Sequence, residues 1–292
     1  MPARLILNAD DFGLTPSINR AIGELRAAGA ITSATLMAAG PAFDDAVAVA
    51  HAHPSLGVGC HIVLVDGLPV SPPNTIPSLI GPDGKSFRPT LRSFLADLIR
   101  GRILAEDIAR EALAQIEKLQ RAGIRITHID THKHTHLFPS VARPLLQVAA
   151  DASIFAIRNP FEPSWSLALH QGSPARRLAI RIGARLRPRF EALLGRHTGI
   201  RSTDGTIAIS TTGQFNSARL VRILAALPPT GTYELCCHPG YNSPDLDLIR
   251  TRLRGHRDVE RQALLTEIPR VMAQSNAPIL ISYCNLADPT QT

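Results

Sequence analysis

Four histidines and an aspartate fall within residues 127–136, which read THIDTHKHTH. Imidazole is a common nitrogen ligand for borderline metal ions, and a nearby carboxylate can orient a ring through its second nitrogen. A cluster this dense has few structural uses and points to a metal site. In an extended segment the two-residue period puts His128, Asp130 and His132 on one face, with Ile129 and Thr131 on the other. His132 and His136 are also four apart, as on a helical turn. Spacing therefore leaves open which histidines of the cluster bind, and His134 and His136 stay candidates beside His132.

A second feature is the pair Asp10 and Asp11, set between an apolar run and Gly13. Adjacent carboxylates repel unless something positive lies between them or one is protonated. A divalent cation resolves the conflict, with one Asp as ligand and the other as a base beside activated water. A helix-capping carboxylate with a solvated neighbour is the plainer alternative. His61 follows the small residues of Gly57-Val58-Gly59-Cys60, which leave room for a site. His238 precedes Pro239 and Gly240, a turn that sets an imidazole at a rim suited to a general acid, with Tyr241 just beyond.

These residues need elements to position them. Short apolar runs at 4–10, 32–38, 57–63, 126–130, 153–158, 206–210, 232–237 and 278–283 alternate with helical periodicity near 16–29, 42–52, 91–123 (broken near Gly101), 140–151, 174–195, 215–226 and 256–273. Eight strands interleaved with helices predict an α/β fold, a (β/α) barrel that is complete, distorted or incomplete, in one domain over residues 1–292. Two insertions, near 66–89 and 159–204, are long enough to be functional loops at the C-terminal face. Asp10, Asp11, His61, His132, Arg158 and His238 all fall at the C-terminal ends of the expected strands, where such folds place their sites.

Composition narrows the classes further. The net charge of +7 is concentrated in residues 176–201, which hold eight Arg, no Lys and one Glu, so the remainder is neutral. A general nucleic-acid surface is excluded on that basis, and a local anionic partner is expected. The N-terminus resembles no secretory signal and no long apolar run occurs, so the expected compartment is the cytoplasm. Four cysteines without a C-x-x-C pair read as reduced core residues. Self-association into a homo-oligomer is compatible with the sequence.

The motifs NADDFG (8–13), TSAT (32–35), GCHIVL (59–64), TH-x-D-x-H (127–132) and HPG (238–240), in this order, resemble those of the YdjC/ChbG-type carbohydrate deacetylases, and within them the hopanoid-biosynthesis-associated branch called HpnK. The resemblance covers nearly the whole chain. It implies a barrel-like hydrolase fold that removes N-acetyl groups from sugars with one divalent metal ion, Zn or Mg foremost. By motif position it implies Asp11, His61 and His132 as metal ligands, Asp10 as catalytic base and His238 as acid. Lys133 stands where relatives often continue the histidine run, which argues against a ligand there.

Arg158 is then a candidate for holding Asp10 ionised, although a strand-end Arg equally suits a loop carboxylate. Asp130, His128, His134, His136 and Tyr241 are candidates for contacting substrate or orienting the ligands. The branch implies a lipid-linked N-acetylated sugar, and the Arg-rich segment, with Leu178, Ile182 and Leu186 interleaved, suits peripheral contact with an anionic membrane on its inner face. A solvated cationic helix is the plainer reading of that segment. A metal-dependent phosphoesterase and a non-catalytic sugar or lipid binder remain as alternatives on the same fold.

Overall fold

Along the central strands of this protein, side chains alternate between an outer apolar layer and an inner face that is polar toward the strands' C-terminal ends. In the computed structural model, which describes residues 2–169 and 174–287, the chain begins β1 (Arg4–Phe12), α1 (Pro16–Ala27), β2 (Ser33–Leu36), α2 (Phe43–Ala52), β3 (Gly57–Ile62), α3 (Leu91–Ile99), α4 (Ala105–Arg121), β4 (Ile129–Thr131) and α5 (Pro139–Asp151). It continues with α6 (Ser164–Ala168), α7 (Pro174–Gly183), α8 (Arg187–Leu194), β5 (Gly205–Ile207), α9 (Ser217–Ala225), β6 (Thr232–Cys237), α10 (Gly255–Met272), β7 (Ile279–Leu280) and α11 (Tyr283–Ala287).

The strands are parallel and lie in the order β4-β3-β2-β1-β6-β5, with β7 paired to the start of β1. Parallel bridges from Ile129 to Ile157 and from Ala156 to Arg201 carry the sheet from β4 round toward β5. The result is a curled parallel sheet, a distorted (β/α) barrel. The expected strand over 153–158 contributes these bridges rather than a regular strand, and the last expected strand shrinks to Ile279–Leu280.

The alternation follows from what lies on each side. Leu5, Leu7 and Ala9 of β1, Val58, Cys60 and Ile62 of β3, and Leu235 and Cys237 of β6 join one large core under the helices. The opposite faces carry Asn8 and Asp10, Gly59 and His61, and Glu234 and Cys236, all facing the enclosed interior. A smaller apolar cluster of Ile6, Ala156, Ile281, Tyr283 and Leu286 fills the interior at the N-terminal end of β1. Above it the lining turns polar toward the strands' C-terminal ends.

Local signals place the helices. Thr15 caps α1 by accepting the Ile18 N–H, and Pro16 opens its first turn. The helix expected over 174–195 is divided by a 3-10 turn at Ala184–Leu186, and α8 restarts with Pro188 in its first turn, where a missing N–H costs nothing. The insertion at 66–89 is pinned rather than loose. Glu111 of α4 accepts the N–H groups of Val70 and Ser71 at 2.8 and 2.9 Å, and Asp107 accepts that of Ser78 at 2.8 Å.

Candidate metal and hydrolytic site

The adjacent carboxylates that end β1 are separated by a backbone irregularity. Asp11 sits in the left-handed region with φ 65°, and the pairing of β1 with β2 shifts register between Ala9 and Phe12. A bulge re-aims one side chain, which lets two successive residues both serve the mouth of the barrel. Each carboxylate also receives its own guanidinium. Arg158 holds Asp10 with two bonds of 2.9 and 2.6 Å, and Arg257, from α10, holds Asp11 Oδ2 at 2.5 Å.

The free oxygen of Asp11 then faces two imidazoles. Asp11 Oδ1 lies 3.8 Å from His61 Nε2 and 3.6 Å from His132 Nδ1, and the two nitrogens are 3.4 Å apart. Atoms bound to one ion tetrahedrally at about 2.0–2.2 Å lie roughly 3.3–3.6 Å from each other. Two of the three separations fall in that range and the third, at 3.8 Å, is slightly wider, so the three donors are close enough to share one cation. Their orientation is built in at His61, whose register partner across β3 and β4 is Asp130. Asp130 Oδ1 lies 2.7 Å from His61 Nδ1. A carboxylate only accepts, so Nδ1 carries the hydrogen and Nε2 is turned to the cluster, the arrangement metal-binding histidines commonly have.

Charge balance fits the same reading. Burial opposes ionisation of Asp10 and Asp11, but Arg158 for the first and Arg257 for the second, with neighbouring histidines, hold both well below the usual carboxylate range. Burial is likewise overcome at Asp130 by Arg158 and His61, which lowers it. Three ionised carboxylates thus share two guanidiniums. His61 meets the remaining negative charge: burial disfavours its imidazolium, yet Asp130, Asp10 and Asp11 push it up to about 9. The donors present suit a divalent metal ion in place of that proton.

His238 follows β6, with Nε2 3.8 Å from Asp10 Oδ2. Burial lowers it to about 4, so it rests neutral. Its backbone N–H donates to Glu260 of α10 at 2.6 Å, which fixes the turn that carries it.

The other histidines of the 128–136 run are not brought to the triad. His128 is stacked on Tyr283 at 3.7 Å, deeper in the interior. His136 is buried between Thr131 Oγ1 at 2.7 Å and the Arg158 carbonyl at 3.2 Å. His134 has φ 51° and is lowered to about 3 by burial. Tyr241 lies apart, its hydroxyl donating to Glu24 and its ring flanked by Arg20 and Arg261.

Two participants are absent from the sequence-based candidates. Glu234 accepts from Arg158 Nε at 2.8 Å and from the Tyr283 hydroxyl, and burial raises it above the ordinary range. The two-residue spacing of Glu234, Cys236 and His238 would have exposed it. Arg257 lies 246 residues from Asp11 on a helix, and no local pattern marks it.

A family profile described as YdjC-like protein matches residues 4–274. The chain is 39% identical over 158 residues to a carbohydrate deacetylase of Brevibacillus brevis, which is 54% of this chain and 60% of that one. It is 32% identical over 251 residues to a carbohydrate deacetylase of Mus musculus, covering 82% of this chain and 79% of the relative. A solved structure from Enterococcus faecalis, described as a candidate cellobiose-phosphate cleavage protein, superposes with a TM-score of 0.77 at 22% identity over 97% of this chain and 98% of that one. This last likeness concerns the fold.

Proposed function

The chain belongs to the YdjC-like family, and we propose that it is a metal-dependent amide hydrolase that removes the N-acetyl group of an amino sugar, giving acetate and the free amine. The observation that carries the reading is a donor triad of Asp11, His61 and His132 spaced for one ion beside a second carboxylate, Asp10, that has its own counter-ion. A second, ionised carboxylate beside the ion is the group that general-base catalysis requires.

Asp11, His61 and His132 would hold a divalent cation, which when bound would supply Lewis acidity toward the amide carbonyl and lower the pKa of water at the site. One carboxylate and two imidazoles, spaced more widely than the roughly 3 Å edge of an octahedral Mg site, favour Zn over Mg. Asp10, ionised and fixed by Arg158, takes the proton of the attacking water. His238, neutral at rest and 3.8 Å from Asp10, is placed to receive that proton and deliver it to the leaving amine nitrogen.

The finer substrate is an N-acetylglucosaminyl group carried by a hopanoid lipid, handled at the inner face of an anionic membrane. Support comes from α7. Leu178 and Ile182 are 60% and 51% exposed among the arginines, and Gly183 packs on Leu137, which ends the turn begun by His132. Among the described residues no helix is long and apolar enough to cross a membrane, and the contact proposed through this face is a peripheral one.

The test is acetate release from N-acetylglucosaminyl glycosides by metal-stripped and reconstituted protein, alongside a panel of phosphate esters. Activity that survives stripping undiminished, or that appears only on the phosphate esters, sinks the proposal. Mass spectrometry of the hopanoid glycoside for loss of one acetyl group tests the lipid. Binding to anionic liposomes that persists after the α7 arginines become Ser removes the membrane contact.

A further inference from the structure

Asp130 orients His61, but among the described residues no side chain hydrogen-bonds the outer nitrogen of His132. Its contacts are His61 and Asp11, both through Nδ1. The aim of this imidazole therefore depends on the backbone that carries it. That backbone is unusual: Lys133 and His134, immediately after His132, have φ of 57° and 51°. Residues other than glycine reach the left-handed region rarely and mostly singly, so two in succession need an external hold.

The hold comes from the loop that follows the neighbouring strand β3. Lys133 Nζ lies 2.5 Å from Asp66 Oδ2, in the loop after β3. Both side chains are partly shielded, at 29% and 19% exposure, where an ion pair is screened less than at an open surface. Asp66 is itself left-handed at φ 58°, and its N–H donates to the Arg88 carbonyl at 2.9 Å. Arg88 is anchored in turn to Asp97 and the Ser78 carbonyl, both at 2.7 Å. Arg250 approaches the other oxygen of Asp66 only to 3.9 Å and is 69% exposed.

We propose that Asp66 and Lys133 are positioning residues whose ion pair holds the left-handed turn after β4 and thereby aims His132 at Asp11 and His61. The proposal rests on the reading of those three residues as metal-binding. It also gives a use to the lysine that interrupts the histidine run. Lys133 serves the site by its charge and its backbone, and it is not a ligand.

The experiment is a calorimetric titration of the metal-stripped, full-length protein with Zn²⁺, and with Co²⁺ followed by its visible absorption, alongside thermal melts of the metal-free forms. D66A and K133A should each weaken metal binding by about 10- to 100-fold, the usual scale for losing a group that orients a ligand. The charge-swapped D66K/K133D double variant should recover most of the loss. K133G, which reaches the left-handed conformation without strain, should lose less than K133A. R250A should bind like the wild type. D66A and K133A that melt earlier but bind metal with unchanged affinity overturn the proposal, as does a swap no better than the singles. A wild-type protein that binds neither ion overturns the metal reading itself, and the positioning role with it.

Discussion

Arg158 meets Asp10 edge-on, with Nη1 2.9 Å from Oδ2 and Nη2 2.6 Å from Oδ1. The same guanidinium donates to Glu234 and pairs with Asp130, so one fully buried cation serves three buried carboxylates. Removing one partner of a buried ion pair is costly because the others stay desolvated. R158M is expected to lose roughly 3–5 kcal/mol of stability in a urea melt. R158K keeps the charge without the planar fork and should lose less while still impairing the site. An R158M protein as stable as the wild type would show that the carboxylates do not need this cation.

Asp10 is the group asked to move a proton. D10N keeps its shape and leaves Asp11, His61 and His132 in place. The expected result is a fall in kcat of about 10²–10⁴-fold, with metal content per chain unchanged by elemental analysis. Retained turnover would move the base elsewhere, and lost metal would place Asp10 among the ligands.

Glu260 sets a pH dependence of stability. Burial pushes it up to about 7, against the opposing influence of the His238 N–H and Arg257, with Asp10 adding to the rise. The folded state thus binds this proton more tightly than the unfolded chain. Its contribution is fully present below the ordinary glutamate range and is lost as pH rises through about 7. From pH 5 to 8 the stability should fall by roughly 3 kcal/mol on this account. E260Q, which still offers an acceptor to His238, should flatten that slope and exceed the wild type at pH 8. Denaturant melts across the pH range decide the matter, and an unchanged slope in E260Q assigns the dependence to another group.

Gly59 leaves space that a side chain would fill. A Cβ there would lie 2.6 Å from both ring nitrogens of His128, and that ring is backed by Tyr283 at 3.7 Å. Overpacking such a site typically costs about 1–3 kcal/mol, so G59A should melt measurably earlier. Adding H128A to G59A should recover part of the loss. If the pair is simply additive, the two positions do not compete for space.

The sequence alone determined what repeats along the chain. Asp10, Asp11, His61, His132 and His238 follow short apolar runs, and a parallel sheet aligns such strand ends at one face because all strands run the same way. The barrel-like α/β architecture was legible for the same reason, since the alternation of strands and helices is written in local spacing. Only the tertiary structure decided which residues meet. His132 joins Asp11 and His61, while His136 turns to Thr131 and His128 stacks on Tyr283. Spacing could not separate them, because the chain leaves the extended form at His132 and the two-residue period ends there. Arg257 reaches Asp11 across 246 residues, and Lys133 reaches Asp66 across 67. Such pairings depend on how the sheet curls and where its loops cross, and a charge carries no record in the sequence of the partner that neutralises it. The adjacent aspartates at the end of β1 show the difference: their sequence poses an electrostatic conflict, and two guanidiniums from distant segments, with a neighbouring imidazole, meet it in the fold.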